Sequence, residues 1–209
     1  MTDKIQSAAN EVAMGKDRFT TRSAAFGPEL IVTSADAEFA AKGVVETVKS
    51  HSEPCDGVIL ASFGDTGARE VGQLRPDIPV IGIASAAFSV VRSLAGPFGI
   101  VTFGENLVPG LHKKAIEAGL SENLMLISAV KSHEIGDPGT VQVRFKDEIQ
   151  ALCADMEGRG AQSIVLGGGP LAGLATRLRG CVQVPIIDGT QAAVSILRAL
   201  VAPTASPTD

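Results

Sequence analysis

Tryptophan and tyrosine are absent from this chain, and phenylalanine occurs only eight times in 209 residues. A chain so poor in aromatics offers no base-stacking platform for nucleic acid. Positive charge is also scarce: 18 Lys and Arg face 23 Asp and Glu, for a formal net charge of −5. That balance leaves no electrostatic footprint for nucleic acid or for an anionic membrane. No apolar run reaches the length of a membrane span, and the N-terminus does not read as a signal peptide. The three cysteines, Cys55, Cys153 and Cys181, are an odd number without metal-ligand spacing. They read as reduced thiols of a cytoplasmic protein, in core or surface roles. His51, His112 and His133 are scattered, so no metal and no cofactor are expected.

What is present is a soluble-enzyme composition, 45% hydrophobic and 20% charged, with length for a sizeable core. Short apolar runs at 57–61, 79–83, 98–103, 123–129, 163–167 and 184–187 read as strands. Amphipathic stretches near 36–50, 67–75, 85–95, 106–119, 141–158, 171–178 and 190–201 read as helices between them. Residues 2–14 also look helical, and 18–24 are a candidate strand. This alternation predicts an α/β fold with parallel sheet. The stretch "KSHEIGDPG", with His133 and Glu134, reads as a solvated loop, and the tail "APTASPTD" as frayed.

Two segments repeat a design. "VILASFGDTG" at 58–67 and "IVLGGGPLAG" at 164–173 are buried-strand runs that stop at small residues and turn into a helix. Ser62 and Gly168 are 106 apart (168 − 62). The same offset pairs Leu60 with Leu166, Pro79 with Pro185, Ile81 with Ile187, Arg92 with Arg198, and Leu94 with Leu200. Ala86 and Ala87 fall on Ala192 and Ala193, with no gap needed. Self-similarity at a fixed offset indicates duplication. The expected architecture is two pseudo-symmetric Rossmann-like halves flanking a cleft. The first half takes 1–95 plus 200–209, and the second takes 96–199. The strand at 98–103 has its counterpart before Met1, so half one is expected to lack its first strand within this numbering. The opening helix is the counterpart of 107–119.

Ligands of open α/β sheets sit beyond the carboxyl ends of strands, which is where both repeated junctions lie. Backbone N–H groups there suit a carboxylate or an enolate oxygen. The candidate donors are Phe63, Gly64 and Asp65 in half one, with the Ser62 hydroxyl, and Gly168 and Gly169 in half two. Pro170 has no N–H to give. Asp65 is an acid–base candidate and equally an N-terminal helix residue. Asp188, ending a strand before Gly189, reads as structural.

The ordered set "ILASFGDTGARE", "PVIGIASAA", "FGIVTF", "IVLGGGPLAG" and "VPIIDGTQAAV" resembles the aspartate/glutamate racemase superfamily, in its hydantoin and allantoin racemase branch. The resemblance runs from about residue 26 to 200. It implies two similar α/β domains with the active site between them, and an isomerase acting without a cofactor. It also implies two cysteines, one per half, that remove and return a proton beside a carbonyl or carboxylate. Here Ser62 stands at the first of these positions and Gly168 at the second. Thr102 matches a family threonine near the substrate, while Phe103 replaces a second one and makes that wall apolar.

The expected catalytic residues are therefore Ser62 and Asp65. The expected substrate-binding residues are Phe63, Gly64, Thr102, Phe103, Gly168, Gly169 and Pro170. The expected partner is a small carboxylate or cyclic amide, handled by enolate or oxyanion stabilisation without two-cysteine racemisation. A ring-opening amide or imide hydrolase, a decarboxylase-type lyase and a non-catalytic binder remain as alternatives. A homo-oligomer is left open.

Overall fold

The computed structural model describes residues 1–131 and 136–201. His133, Glu134 and the tail from 202 onward lie outside the described residues. In chain order the elements are α1 (Thr2–Asn10), α2 (Ser34–Ser50), β1 (Val58–Leu60), α3 (Ala68–Leu74), β2 (Val80–Gly82) and α4 (Ile83–Leu94). There follow β3 (Phe98–Thr102), α5 (Val108–Glu117), β4 (Leu124–Ala129), α6 (Val141–Arg144) and α7 (Lys146–Gly158). The chain continues through β5 (Ser163–Leu166), α8 (Leu174–Leu178), β6 (Ile186–Asp188) and α9 (Gly189–Leu200). All strand pairings are parallel: β1 with β2 in one sheet, and β4-β3-β5-β6 in the other. The fold is α/β with two parallel sheets, as the alternation of elements predicts.

The offset of 106 is visible in three dimensions. β2 and β6, α4 and α9, and the starts of α3 and α8 are displaced by that interval. Gly67 and Gly173, each just before its helix, share left-handed backbone at φ 83° and 80°. A Cβ is disfavoured there, so glycine lets both turns close into their helices. α4 and α9 pack on one another. Ile83 and Gly189, the offset-related first residues of these helices, touch: a Cβ on Gly189 would lie 2.5 Å from the Ile83 carbonyl oxygen. The two helix starts at offset-related positions therefore lie against one another.

The larger sheet is covered on both faces, because alternate residues of a strand point opposite ways. Ile100 and Val165 join Ile83, Phe88 and Val91 of α4 and Leu111 and Ala115 of α5 in one core. Val101, Ile164 and Leu166 join Ile149, Cys153 and Met156 of α7 and Leu174 and Leu178 of α8 in another. Phe88 links the halves, meeting Phe63 edge-on at 5.9 Å and Phe98 at 6.3 Å between ring centroids.

Residues 18–24 carry no strand, a correction to the sequence reading. Their offset counterpart is β4, which is held by pairing with β3. Among the described residues no strand stands beside β1 on the edge away from β2, so 18–24 have no ladder to join. Residues 2–10 are helical, as expected for the counterpart of α5, but the helix ends at Asn10 rather than running on to 14. No helix among the described residues is long and apolar enough to cross a membrane.

Candidate active site at two facing junctions

The first junction leaves β1 and winds through Ser62–Gly67 into α3. The Ser62 carbonyl accepts the Asp65 N–H at 3.0 Å, and Ser62 Oγ accepts the Thr66 N–H at 2.9 Å. The hydroxyl proton of Ser62 remains available for donation. No base contacts Ser62 Oγ among the described residues. The Phe63 and Gly64 N–H groups meet no acceptor among the described residues, whereas Asp65 and Thr66 have spent theirs on Ser62.

Asp65 turns away from Ser62. It is a buried residue in left-handed backbone at φ 52°. Its Oδ1 accepts the Ala84 N–H at 2.9 Å; its Oδ2 accepts the Ser85 N–H at 3.0 Å and the Ser85 hydroxyl at 2.6 Å. Lys114 of α5 stands 3.8 Å from Oδ2. The carboxylate thus caps α4, where the helix dipole and unpaired N–H groups favour an anion.

The second junction leaves β5 through Gly167–Gly173. Thr102, fully buried, donates its hydroxyl to the Gly167 carbonyl at 2.7 Å and so supports the turn from beneath. The Gly168 N–H is spent on the Leu166 carbonyl at 3.1 Å, while the Gly169 N–H meets no acceptor among the described residues. Gly168 has φ 151°, and any side chain on it would overlap the ring of Phe103. The buried Phe103 ring therefore fills the space that a side chain at 168 would need. Gln142, also buried, donates to the carbonyls of Pro170 at 2.9 Å and Ala172 at 2.7 Å. Asp188 caps α9 through Thr190 and Gln191, and its other oxygen accepts the Gly173 N–H at 2.6 Å. Burial raises the Asp188 carboxyl above its ordinary range despite these three N–H bonds.

The two junctions meet. A Cβ on Gly169 would lie 2.8 Å from the Ala61 carbonyl oxygen, one residue before Ser62. Ile5 and Ala8 of α1 pack with Ala172 and Ala61 over this contact. Two surface clefts, of about 340 and 330 Å3, flank α8, and neither is lined by Ser62 or Gly168.

The cysteines lie elsewhere. Cys55 precedes β1, with Arg75 beside it, and Cys181 is exposed with its sulfur accepting from Gln150 at 3.1 Å. Cys153 is buried in α7, where burial pushes its thiol up to about 12. Among the described residues no group of three His, Cys, Asp or Glu is placed to hold a metal ion.

The sequence reading did not single out Gly82, Ser85, Lys114 or Gln142. Gly82 left a trace: the offset of 106 pairs it with Asp188, and that mismatch marks where the capping arrangement differs. The others act through contacts between distant segments.

The family model Asp/Glu/Hydantoin racemase matches residues 1–197. A hydantoin racemase from Paenarthrobacter aurescens is 30% identical over 211 residues, covering 97% of this chain and 86% of that protein. The allantoin racemase from Klebsiella pneumoniae superposes with a TM-score of 0.85 at 29% identity, over 96% of this chain and 82% of its own. That from Pseudomonas fluorescens gives 0.83 at 27% identity, over 96% and 85%. The chain belongs to the Asp/Glu/Hydantoin racemase family and is an enzyme of that superfamily.

Proposed function

We propose that this enzyme binds a small cyclic amide or carboxylate, with a 5-monosubstituted hydantoin as the model substrate, and labilises the C–H bond beside its carbonyl without thiol chemistry. The observation that carries the reading is the asymmetry of the facing junctions. Half one offers a hydroxyl and two unengaged N–H groups. Half two offers one N–H and, behind Gly168, an aromatic ring.

Loss of a proton beside a carbonyl puts negative charge on the carbonyl oxygen. The Phe63 and Gly64 N–H groups receive that oxygen, and the Gly169 N–H closes on the ligand from the facing turn. Donors held in place before charge develops lower the barrier without reorganising, each worth about 3 kcal/mol. Ser62 donates its free hydroxyl proton as a hydrogen bond. Solvent water takes the carbon-bound proton, since no side-chain base stands beside Ser62. With its carboxylate turned into α4, Asp65 offers no base beside Ser62, which disfavours Ser62 as the nucleophile of a ring-opening hydrolysis.

The test is deuterium uptake at C5 of an enantiopure 5-monosubstituted hydantoin in D2O, measured above the enzyme-free rate. Ser62→Ala should slow uptake by about a hundredfold to a thousandfold, as removal of one preorganised donor does. Uptake that ignores Ser62→Ala but vanishes on replacing Cys55, Cys153 or Cys181 would overturn the proposal.

A further inference from the structure

Gly82 and Asp188 occupy equivalent positions in the two halves, the residue before α4 and the residue before α9. In half two the helix cap carries the carboxylate. Asp188 binds the first turn of α9 and reaches out to the Gly173 N–H of the junction turn. In half one the cap residue has no side chain, and α4 is capped from the junction turn instead, by Asp65. The residue equivalent to Asp65 in half two is Leu171, a core side chain with no exposure.

Both carboxylates fill one place in the repeated design. A Cβ on Gly82 would fall on the carboxylate of Asp65, so the acid delivered from the turn sits where a residue-82 side chain would point. The half-one version carries a strain that half two avoids. Asp65 is one of two non-glycine residues with positive φ among the described residues. Left-handed backbone is disfavoured for an L-residue and persists only where its surroundings hold it. The three bonds to α4 and the nearby Lys114 ammonium do the holding.

Resting on the function proposed above, we propose that Asp65 is a positioning residue: its tie to the first turn of α4 fixes the Ser62–Thr66 turn and so aims the Phe63 and Gly64 N–H groups. Asp188 performs the same task for the Gly167–Gly173 turn from the helix side. Asp65 itself touches no substrate.

The design suggests its own test, a transplant of the half-two arrangement into half one. Four variants serve: Asp65→Gly, Asp65→Asn, Gly82→Asp, and Asp65→Gly with Gly82→Asp. Glycine tolerates the backbone at 65, so the first variant removes the tie without adding strain. For deuterium uptake by a 5-monosubstituted hydantoin, Asp65→Gly should lower kcat at least tenfold and change KM less than threefold. Asp65→Asn, keeping one acceptor oxygen, should fall between it and wild type. Gly82→Asp alone crowds two carboxylates together and should lower both kcat and Tm. The double variant should return kcat to within threefold of wild type.

Amide hydrogen exchange over residues 61–67 reports the tie whatever the reaction. Protection should drop at least tenfold in Asp65→Gly and recover in the double variant. A wild-type enzyme inactive on the hydantoin would count against the proposed function, and exchange alone would then decide the tie. Recovery of Tm and protection without recovery of kcat would overturn the positioning role. So would an Asp65→Gly enzyme with kcat within twofold of wild type, or a double variant no better protected than Asp65→Gly.

Discussion

The turns at Ser62 and at Gly168 share a backbone plan and differ in what they present. Both follow a parallel strand, and both pass through a left-handed glycine into a helix, at Gly67 and Gly173. Half one ends in a hydroxyl and free N–H groups. Half two ends in Gly168, backed by the Phe103 ring. The two strand–turn–helix units thus share turn geometry while their side chains diverge. Fold and reaction separate at this point: among the described residues Phe63 and Gly64 in the first turn and Gly169 in the second keep N–H groups without acceptors, while Gly168 brings no side chain to the second turn.

The comparison breaks most severely at position 168. Gly168→Cys adds a side chain at φ 151° into the space of Phe103. It should cost about 3 kcal/mol in urea denaturation, from overpacking and backbone strain together. Adding Phe103→Leu should relieve part of that cost, giving a favourable coupling of about 1 kcal/mol in a double-mutant cycle. Additive effects would mean that the ring does not fill the missing side chain's space.

Asp188→Ala should come next, at about 2 kcal/mol, because it strips a cap and leaves the buried Gly173 N–H without its partner. Its pH dependence has a defined sign. Burial raises the carboxyl above its ordinary value of 3.8 in the folded protein. The folded state therefore holds the proton more tightly than the unfolded one. The titration contribution of Asp188 is fully present below 3.8 and is lost as pH climbs through the raised value. The stability gap between wild type and variant should narrow over that climb. A widening gap would contradict the assignment of burial as the dominant cause.

Gly67→Ala and Gly173→Ala sharpen the likeness of the halves. Each should cost about 1–2 kcal/mol for left-handed backbone. Gly67→Ala should be the worse, since its Cβ would meet Val44 at 3.2 Å, whereas that of Gly173 finds Ala8 at an ordinary 3.5 Å. Equal tolerance of alanine at both sites would remove the argument from shared turn geometry.

The smallest effect belongs to the cysteines. Replacing Cys55 and Cys181 by Ser should leave deuterium uptake within about threefold of wild type, as neither contacts the junctions and surface changes are near neutral. Native-state alkylation at pH 8 should mark exposed Cys181 and spare Cys153, which is buried with its thiol pushed up to about 12. Because folding disfavours the Cys153 thiolate, stability is unaffected below the ordinary value of 9.0 and falls as pH rises toward 12.

Much of this architecture was legible in the sequence. The apolar runs at 79–83 and 184–187 anticipate β2 and β6, and the helices after them recur at the same offset. Periodicity and offset report local pattern, and local pattern positions the strand–helix junctions. Three features escaped. Residues 18–24 have strand composition, yet a strand exists only where a neighbour supplies its ladder. Asp65 has the sequence context of an N-terminal helix residue, but its left-handed backbone turns the carboxylate onto α4, 19 residues away. The filling of the Gly168 space by Phe103 is a contact across two strands. Mismatches at the offset, Gly82 against Asp188 and Asp65 against Leu171, held the information that the matches did not.

The central proposal is that solvent exchanges the carbon-bound proton from the Ser62 side alone, because the Phe103 ring fills the space a side chain at 168 would need. It is tested by following an enantiopure 5-monosubstituted hydantoin in D2O with the wild-type enzyme, reading C5 deuteration by NMR and configuration by chiral chromatography in the same samples. The account predicts deuterium entering faster than configuration is lost, so that early product is deuterated with retention. Deuteration that coincides with inversion from the first turnover, and that disappears when one of the three cysteines is replaced, would contradict it.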